Sequence, residues 1–243
     1  MGGFYYYGID SLYIYLVVPA IIIMLWSQIR VKTVFSKYST HHSPLTGADA
    51  ARRVLEANGV YNVKIERVSG NLTDHYDPRT NVIRLSDSVY GANNLSAVGV
   101  AAHEAGHAVQ YATDYAPIKI RAAIVNVTNI GSKLSIPLIV IGLLLMSIRS
   151  LAAYSDFFYY VALFGVLCFG LCVVFQLVTL PTEYNASRRA KQTIESCNLL
   201  TLEEQQGVKK VLSAAALTYV AALSVAIANF LRLLMIVGRN NKD

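Results

Sequence analysis

The sequence predicts an α+β membrane protein with about four transmembrane helices and one small domain outside the bilayer. Its 243 residues are 54% hydrophobic and only 15% charged, whereas soluble domains are usually about 25% charged. Four apolar stretches have about the length needed to cross a bilayer. A segment of about a hundred residues, with the mixed composition of a folded domain, separates the first two stretches.

The first apolar stretch covers residues 11–26 and carries no charge. Tyrosines near its start and Trp26 near its end suit the two interfaces of a bilayer. The ten residues before it lack the basic stretch of a signal peptide. We therefore expect a retained transmembrane helix within residues 1–30.

Residues 31–116 predict the α+β domain, which begins with a helix and a strand. Thr46 is a suitable N-cap for the helix, and Gly59 is a suitable end. The alternating residues VKIERV, 63–68, then predict a strand.

The second half of this domain predicts a β-hairpin followed by a helix. Residues 70–86 contain two strand patterns around the turn sequence DPRTN. Asn94 is a suitable start for the helix that contains HEAGH, and Asp114 is its expected end.

Residues 117–180 predict a transmembrane hairpin. Its first span centres on Leu134 to Ile148 and continues a weakly amphipathic segment that begins at Ile118. Its second span is 157–180, a stretch of 24 residues without a charge. Pro181 should end that span, and a separate helix should begin at Thr182.

The remaining residues predict a helix outside the bilayer, 181–210, and a fourth span with a tail, 211–243. Arg232 interrupts the apolar character of the fourth span. Small residues at every fourth position favour close helix packing in lipid; they are Ala214, Thr218, Ala222 and Ala226.

The distribution of charge predicts the orientation. Of the 21 lysines and arginines, 17 lie in residues 30–133 and 181–210. The positive-inside rule makes those segments cytoplasmic. The leading tail, which carries only Asp10, fits this orientation, whereas Arg239 and Lys242 would lie outside. No basic stretch interleaved with aromatic residues is present, so we expect lipid and protein partners and no nucleic acid.

The motif HEAGH predicts a zinc site. Four residues turn a helix by about 400°, which places His103 and His107 on one face, one turn apart. Two imidazole nitrogens there can bind one zinc ion at about 2.1 Å. Glu104 lies beside them, where its carboxylate can accept a proton from a zinc-activated water. The alternative is a surface histidine pair with satisfied hydrogen bonds.

Two histidines leave a catalytic zinc site incomplete, because such a site usually has three protein ligands. The sequence alone leaves several candidates for the third ligand open. They are His41, His42, His75, Glu183 and several aspartates.

Three segments in this order resemble one family: LTDHYDPRTNVIRLS, HEAGH and LPTEYNASRRA. They resemble the YugP-like membrane zinc metallopeptidases and, more distantly, the Ste24 and HtpX type of gluzincin. The resemblance covers nearly the whole chain. It implies a gluzincin-like zinc domain in which His103, His107 and Glu183 bind Zn²⁺ and Glu104 is the catalytic base.

The resemblance also implies that the strand from Asn81 to Ser86 forms the cleft rim, where an extended substrate pairs by β-addition. One residue departs from the Ste24-like pattern, because Ser187 stands where an aspartate is usual. A serine hydroxyl can still orient a zinc-bound histidine. The oxyanion-stabilising residue stays open among Arg188, His75 and Tyr184.

The predicted function is that of a multi-pass membrane zinc endopeptidase acting on proteins or peptides, with membrane proteins among the candidate substrates. An alternative is a catalytically silent membrane chaperone or scaffold that retains the zinc site. A membrane di-iron oxygenase is disfavoured, because such enzymes need about eight histidines and this chain has five.

Overall fold

The structure is a computed structural model that describes residues 11–239. In chain order its main elements are α1 (Val18–Ser39), α2 (Gly47–Ala57), β1 (Lys64–Val68), β2 (His75–Asp77), β3 (Val82–Ser86), α3 (Leu95–Ala112), α4 (Ala116–Met146), α5 (Ser155–Ser196) and α6 (Leu202–Arg239). Asp10 and Lys242, which enter the predicted orientation, lie outside the described residues.

The chain divides into two compact units. Among the described residues, one comprises 11–25, 120–179 and 220–239, and the other comprises 26–119 and 180–219. We call them the apolar unit and the mixed unit. The mixed unit contains the sheet together with α2 and α3.

Within residues 11–239, four helices are long and apolar enough to cross a membrane, as the sequence predicts. They span Tyr13–Ser39, Ala116–Met146, Arg149–Ser196 and Leu202–Arg239. Phe164 and Leu167 on α5 are 57% and 58% exposed, as expected for side chains that contact lipid. The protein is an α+β membrane protein.

Arg232 does not interrupt α6. Its guanidinium lies 5.1 Å from the centre of the Tyr13 ring within the apolar unit. A cation over an aromatic face is stabilised by the ring quadrupole, so the charge is compatible with a long apolar helix.

The predicted break at Pro181 is wrong, because α5 continues without interruption from Ser155 to Ser196. A proline inside a helix removes one hydrogen bond and costs about 3 kcal/mol. Burial of Ala186, Ala190 and Ile194, each no more than 2% exposed, favours the helical conformation beyond the proline.

The sheet of the mixed unit has the strand order β1-β3-β2. β1 pairs in parallel with β3, and β2 pairs with it in antiparallel fashion. The DPRTN turn joins β2 to β3, as predicted, and Asp77 Oδ2 accepts a hydrogen bond of 2.7 Å from the Thr80 hydroxyl.

The implied cleft rim at Asn81 to Ser86 is wrong as a site of β-addition. All of these residues except Asn81 form β3, which is the central strand and already has a partner on each side. Strand addition needs an unpaired edge, and β2 is an edge strand of this sheet. The strand that the resemblance implies as the cleft rim, β3, is therefore the neighbour of an edge strand and is not itself at an edge of the sheet.

The predicted caps of α2 and α3 are confirmed, whereas the predicted single helix over 181–210 is wrong, because α5 ends at Ser196 and α6 begins at Leu202. Thr46 caps α2 with a full capping box formed with Asp49. Asn94 caps α3, and its Oδ1 accepts a hydrogen bond of 2.9 Å from the Ala97 amide. Small residues of α3, among them Ala101 and Ala105, are completely buried in the core.

Candidate metal centre

His103 and His107 lie on one face of α3, as their spacing predicts. Their ring centroids are 4.7 Å apart and the rings are nearly perpendicular, at 82°. A buried helix that holds two imidazoles in this way offers two nitrogen atoms to one point in space.

Glu183 of α5 faces this histidine pair. Its Oε2 lies 3.0 Å from Nε2 of His103 and 3.3 Å from Nε2 of His107. The three side chains offer ligand atoms that all lie within 4.8 Å of one another, and no other such group of three occurs in residues 11–239. Two imidazoles and a carboxylate are a ligand set typical of catalytic zinc.

Gly106, inside the motif, allows the backbones of α3 and α5 to approach closely. A β-carbon at Gly106 would lie 2.5 Å from the carbonyl oxygen of Ala186, a distance that real β-carbons do not reach. Ala186 lies between Glu183 and Ser187 on α5. The glycine therefore lets α5 bring both side chains to the histidines.

The second ring nitrogen of each histidine also has a protein partner. Nδ1 of His103 lies 3.0 Å from the hydroxyl of Ser187, and Nδ1 of His107 lies 3.0 Å from Oε1 of Gln110. In metal sites such contacts fix the ring and leave Nε2 for the ion. These two contacts therefore make the donor set fit a zinc ion.

Ser187 occupies the position at which the resemblance departs from the usual pattern, and its hydroxyl contacts His103. The contact of Gln110 with His107 was not predicted from the sequence. The only sequence signal is its place three residues after His107, and that spacing alone is common on amphipathic helices.

Glu104 lies next to the three-residue group but is not part of it. Its Oε2 accepts a hydrogen bond of 3.0 Å from the backbone amide of Tyr76 in β2. The edge strand therefore holds the carboxylate of the HEAGH motif beside the candidate ligand side chains.

The electrostatics of the group favour a cation. Burial lowers the pKa of the His107 imidazole, but the hydrogen bond with Glu183 and the negative charges of Glu183 and Glu104 outweigh it. The pKa of His107 is raised as a result. A positive charge at this ring is stabilised by its surroundings.

The other candidates for the third ligand lie elsewhere. His41, His42 and His75 are all exposed. His41 Nδ1 contacts the carbonyl of Lys37, and His75 Nδ1 contacts the carbonyl of Thr73. Arg188 and Tyr184, which were open as oxyanion stabilisers together with His75, are exposed on α5.

Comparison with known proteins identifies the family. Residues 13–238 match the family described as "putative neutral zinc metallopeptidase". The chain is also 44% identical over 227 residues to the "putative membrane protease YugP" of Bacillus subtilis (strain 168). The aligned region covers 93% of this chain and 96% of that protein. No solved structure matches the chain. The chain therefore belongs to the neutral zinc metallopeptidase family.

Proposed function

We propose that the protein is a membrane-embedded zinc endopeptidase whose metal ligands are His103, His107 and Glu183. The observation that carries this proposal is the convergence of these three side chains from two helices, with Glu104 beside them. Membership of a zinc peptidase family supports it.

The roles of the side chains follow from their chemistry. A zinc ion at this place would polarise the scissile carbonyl and make a water molecule more acidic. The carboxylate of Glu104 would accept a proton from the attacking water and deliver it to the leaving amine. The hydrogen bond from the Tyr76 amide would hold that carboxylate in place.

We further propose that an extended substrate segment lies along β2. This strand is at the edge of the sheet, and its Tyr76 amide reaches Glu104. Backbone pairing at this edge would place a peptide next to the candidate base. Proteins and peptides, including membrane proteins, are the substrate class that this arrangement suits.

We propose that the site lies on the cytoplasmic side of the cell membrane. The support is the concentration of basic residues in 30–133 and 181–210, because short loops rich in lysine and arginine stay in the cytoplasm. His103, His107 and Glu183 lie within these two segments.

The decisive experiment compares Glu104→Gln with the wild type in zinc content and in cleavage of an unfolded test protein. The variant should keep its zinc and lose at least about a hundredfold in cleavage rate, because general acid–base catalysis contributes about 10²–10⁴-fold. Glu195→Gln, an exposed change on α5, is the matched control and should retain activity.

The same experiment separates an enzyme from a silent scaffold. Cleavage by Glu104→Gln at the wild-type rate would contradict the role of this residue. A wild-type protein that binds zinc and cleaves none of several unfolded proteins would instead support a chaperone or scaffold.

A further inference from the structure

Gln110 is a fully buried polar residue on α3, one turn after His107. A buried amide is costly unless its polar atoms have partners. Its Nε2 donates to the carbonyl of Thr182 at 2.7 Å and to Oδ1 of Asn185 at 3.0 Å. Its Oε1 lies 3.0 Å from Nδ1 of His107. Both ends of the amide are therefore engaged.

The partners of the Gln110 amide nitrogen determine which groups donate and which accept in these hydrogen bonds. The Thr182 carbonyl can only accept a hydrogen bond, so the amide nitrogen of Gln110 must face it. Arg189 Nε can only donate, and it lies 2.8 Å from Oδ1 of Asn185. That oxygen must therefore face Arg189, and it accepts from Gln110 as well.

The orientation of the Gln110 amide determines which ring nitrogen of His107 carries the proton. With both N–H groups of Gln110 used, its Oε1 is an acceptor, and Nδ1 of His107 must carry the proton. Nε2, which faces Glu183, is then the nitrogen left to bind a metal. His103 differs, because the Ser187 hydroxyl at its Nδ1 can either donate or accept.

We propose that Gln110 is a positioning residue for the metal centre. Held by the Thr182 carbonyl and by Asn185, it fixes the orientation and tautomer of His107 so that Nε2 can bind a divalent cation. This inference rests on the proposed zinc site and adds a contact between α3 and α5 that prepares one ligand before the ion arrives.

The test measures the zinc dissociation constant of the full-length protein in detergent by competition with a chelator. Gln110→Leu should bind zinc about 10- to 100-fold more weakly, the usual effect of losing such a contact. Ser187→Ala should have the smaller effect.

A matched control separates positioning from a general role in packing. Thr193→Val removes the hydrogen bond of 3.0 Å between Asn58 of α2 and Thr193 of α5, which lies in the same unit but contacts no ligand. It should leave the zinc dissociation constant unchanged. Equal losses in Thr193→Val and Gln110→Leu, or wild-type zinc affinity in a folded Gln110→Leu, would overturn the proposal.

A second measurement needs no variant of Gln110. In the zinc-loaded wild type labelled with ¹⁵N at histidine, the His107 Nδ1 should carry a proton and Nε2 should be metal-bound. Binding through Nδ1 would overturn the inference even if Gln110→Leu failed to fold. A wild type without zinc affinity would overturn the proposed function as well, whereas zinc binding without peptidase activity would overturn that function alone.

Discussion

Glu183 is the residue on which the candidate site depends most. It is only 3% exposed, and a buried carboxylate is costly unless it has charged or hydrogen-bonding partners. Its partners His103 and His107 lie on a different helix, 80 and 76 residues earlier in the chain. A buried carboxylate that two imidazoles face is the arrangement that the proposed cation site requires.

Glu183→Ala should therefore lower zinc affinity by at least about tenfold and abolish activity, because it removes one of the three proposed ligands. The protein should still insert and fold. Metal analysis of the purified protein checks the result, with Glu195→Ala as an exposed control on the same helix. Full zinc occupancy in Glu183→Ala would contradict the assignment.

Some residues of the candidate site could be predicted from the sequence and others could not, because only some of them depend on local helix geometry. His103, Glu104 and His107 form a local helical pattern, so their proximity follows from helix geometry. Gln110 acquires its role from Thr182 and Asn185, which come from α5. Nothing in the residues around Gln110 signals those distant partners.

At the scale of elements, the site depends on how closely α3 and α5 approach each other. Gly106 faces the carbonyl of Ala186 at a distance that leaves no room for a β-carbon. Gly99 on the same helix differs, because a β-carbon there would lie 3.4 Å from the Val211 side chain, an ordinary contact. The two glycines thus form a natural pair for comparison.

Gly106→Ala should push α5 away from α3. The strain should destabilise the protein by about 1–3 kcal/mol and weaken zinc binding by at least tenfold, because it separates Glu183 from the histidines. Thermal unfolding and zinc competition measure the two effects. Gly99→Ala should leave zinc binding unchanged, and similar losses in both variants would contradict this explanation.

Element boundaries were predictable where local chemistry decides them. The caps Thr46 and Asn94 are confirmed because a side-chain oxygen satisfies amides of its own helix. The prediction from Pro181 was wrong, because the tendency of proline to end a helix is weaker than the stabilisation from burying the helical residues that follow it. The central position of β3 in the sheet could not be predicted, because the sequence of β3 does not indicate which strands pair with it.

At the scale of the whole molecule, the distribution of charge predicts which side of the membrane carries the site. The four long helices are consistent with a multi-pass membrane protein. The orientation rests on the excess of lysine and arginine in 30–133 and 181–210. Between Met146 and Phe157 the only charged residues are Arg149 and Asp156, so the positive-inside rule predicts that this segment lies outside the cell.

Labelling of single cysteines in intact cells tests this orientation. A background without Cys168, Cys172 and Cys197 is required, because Cys197 is itself exposed. Ser150→Cys, in the turn between α4 and α5, should react with a reagent that does not cross membranes. Thr73→Cys, exposed in the mixed unit, should react only after the cells are opened.

The two positions control for each other, because each should react in opened cells and only Ser150→Cys should react in intact ones. Reaction at Thr73→Cys but not at Ser150→Cys in intact cells would reverse the orientation and place the candidate zinc site outside the cytoplasm. Substrates would then be sought among exported proteins. The proposed set of zinc ligands would be unaffected, because His103, His107 and Glu183 all lie within the mixed unit.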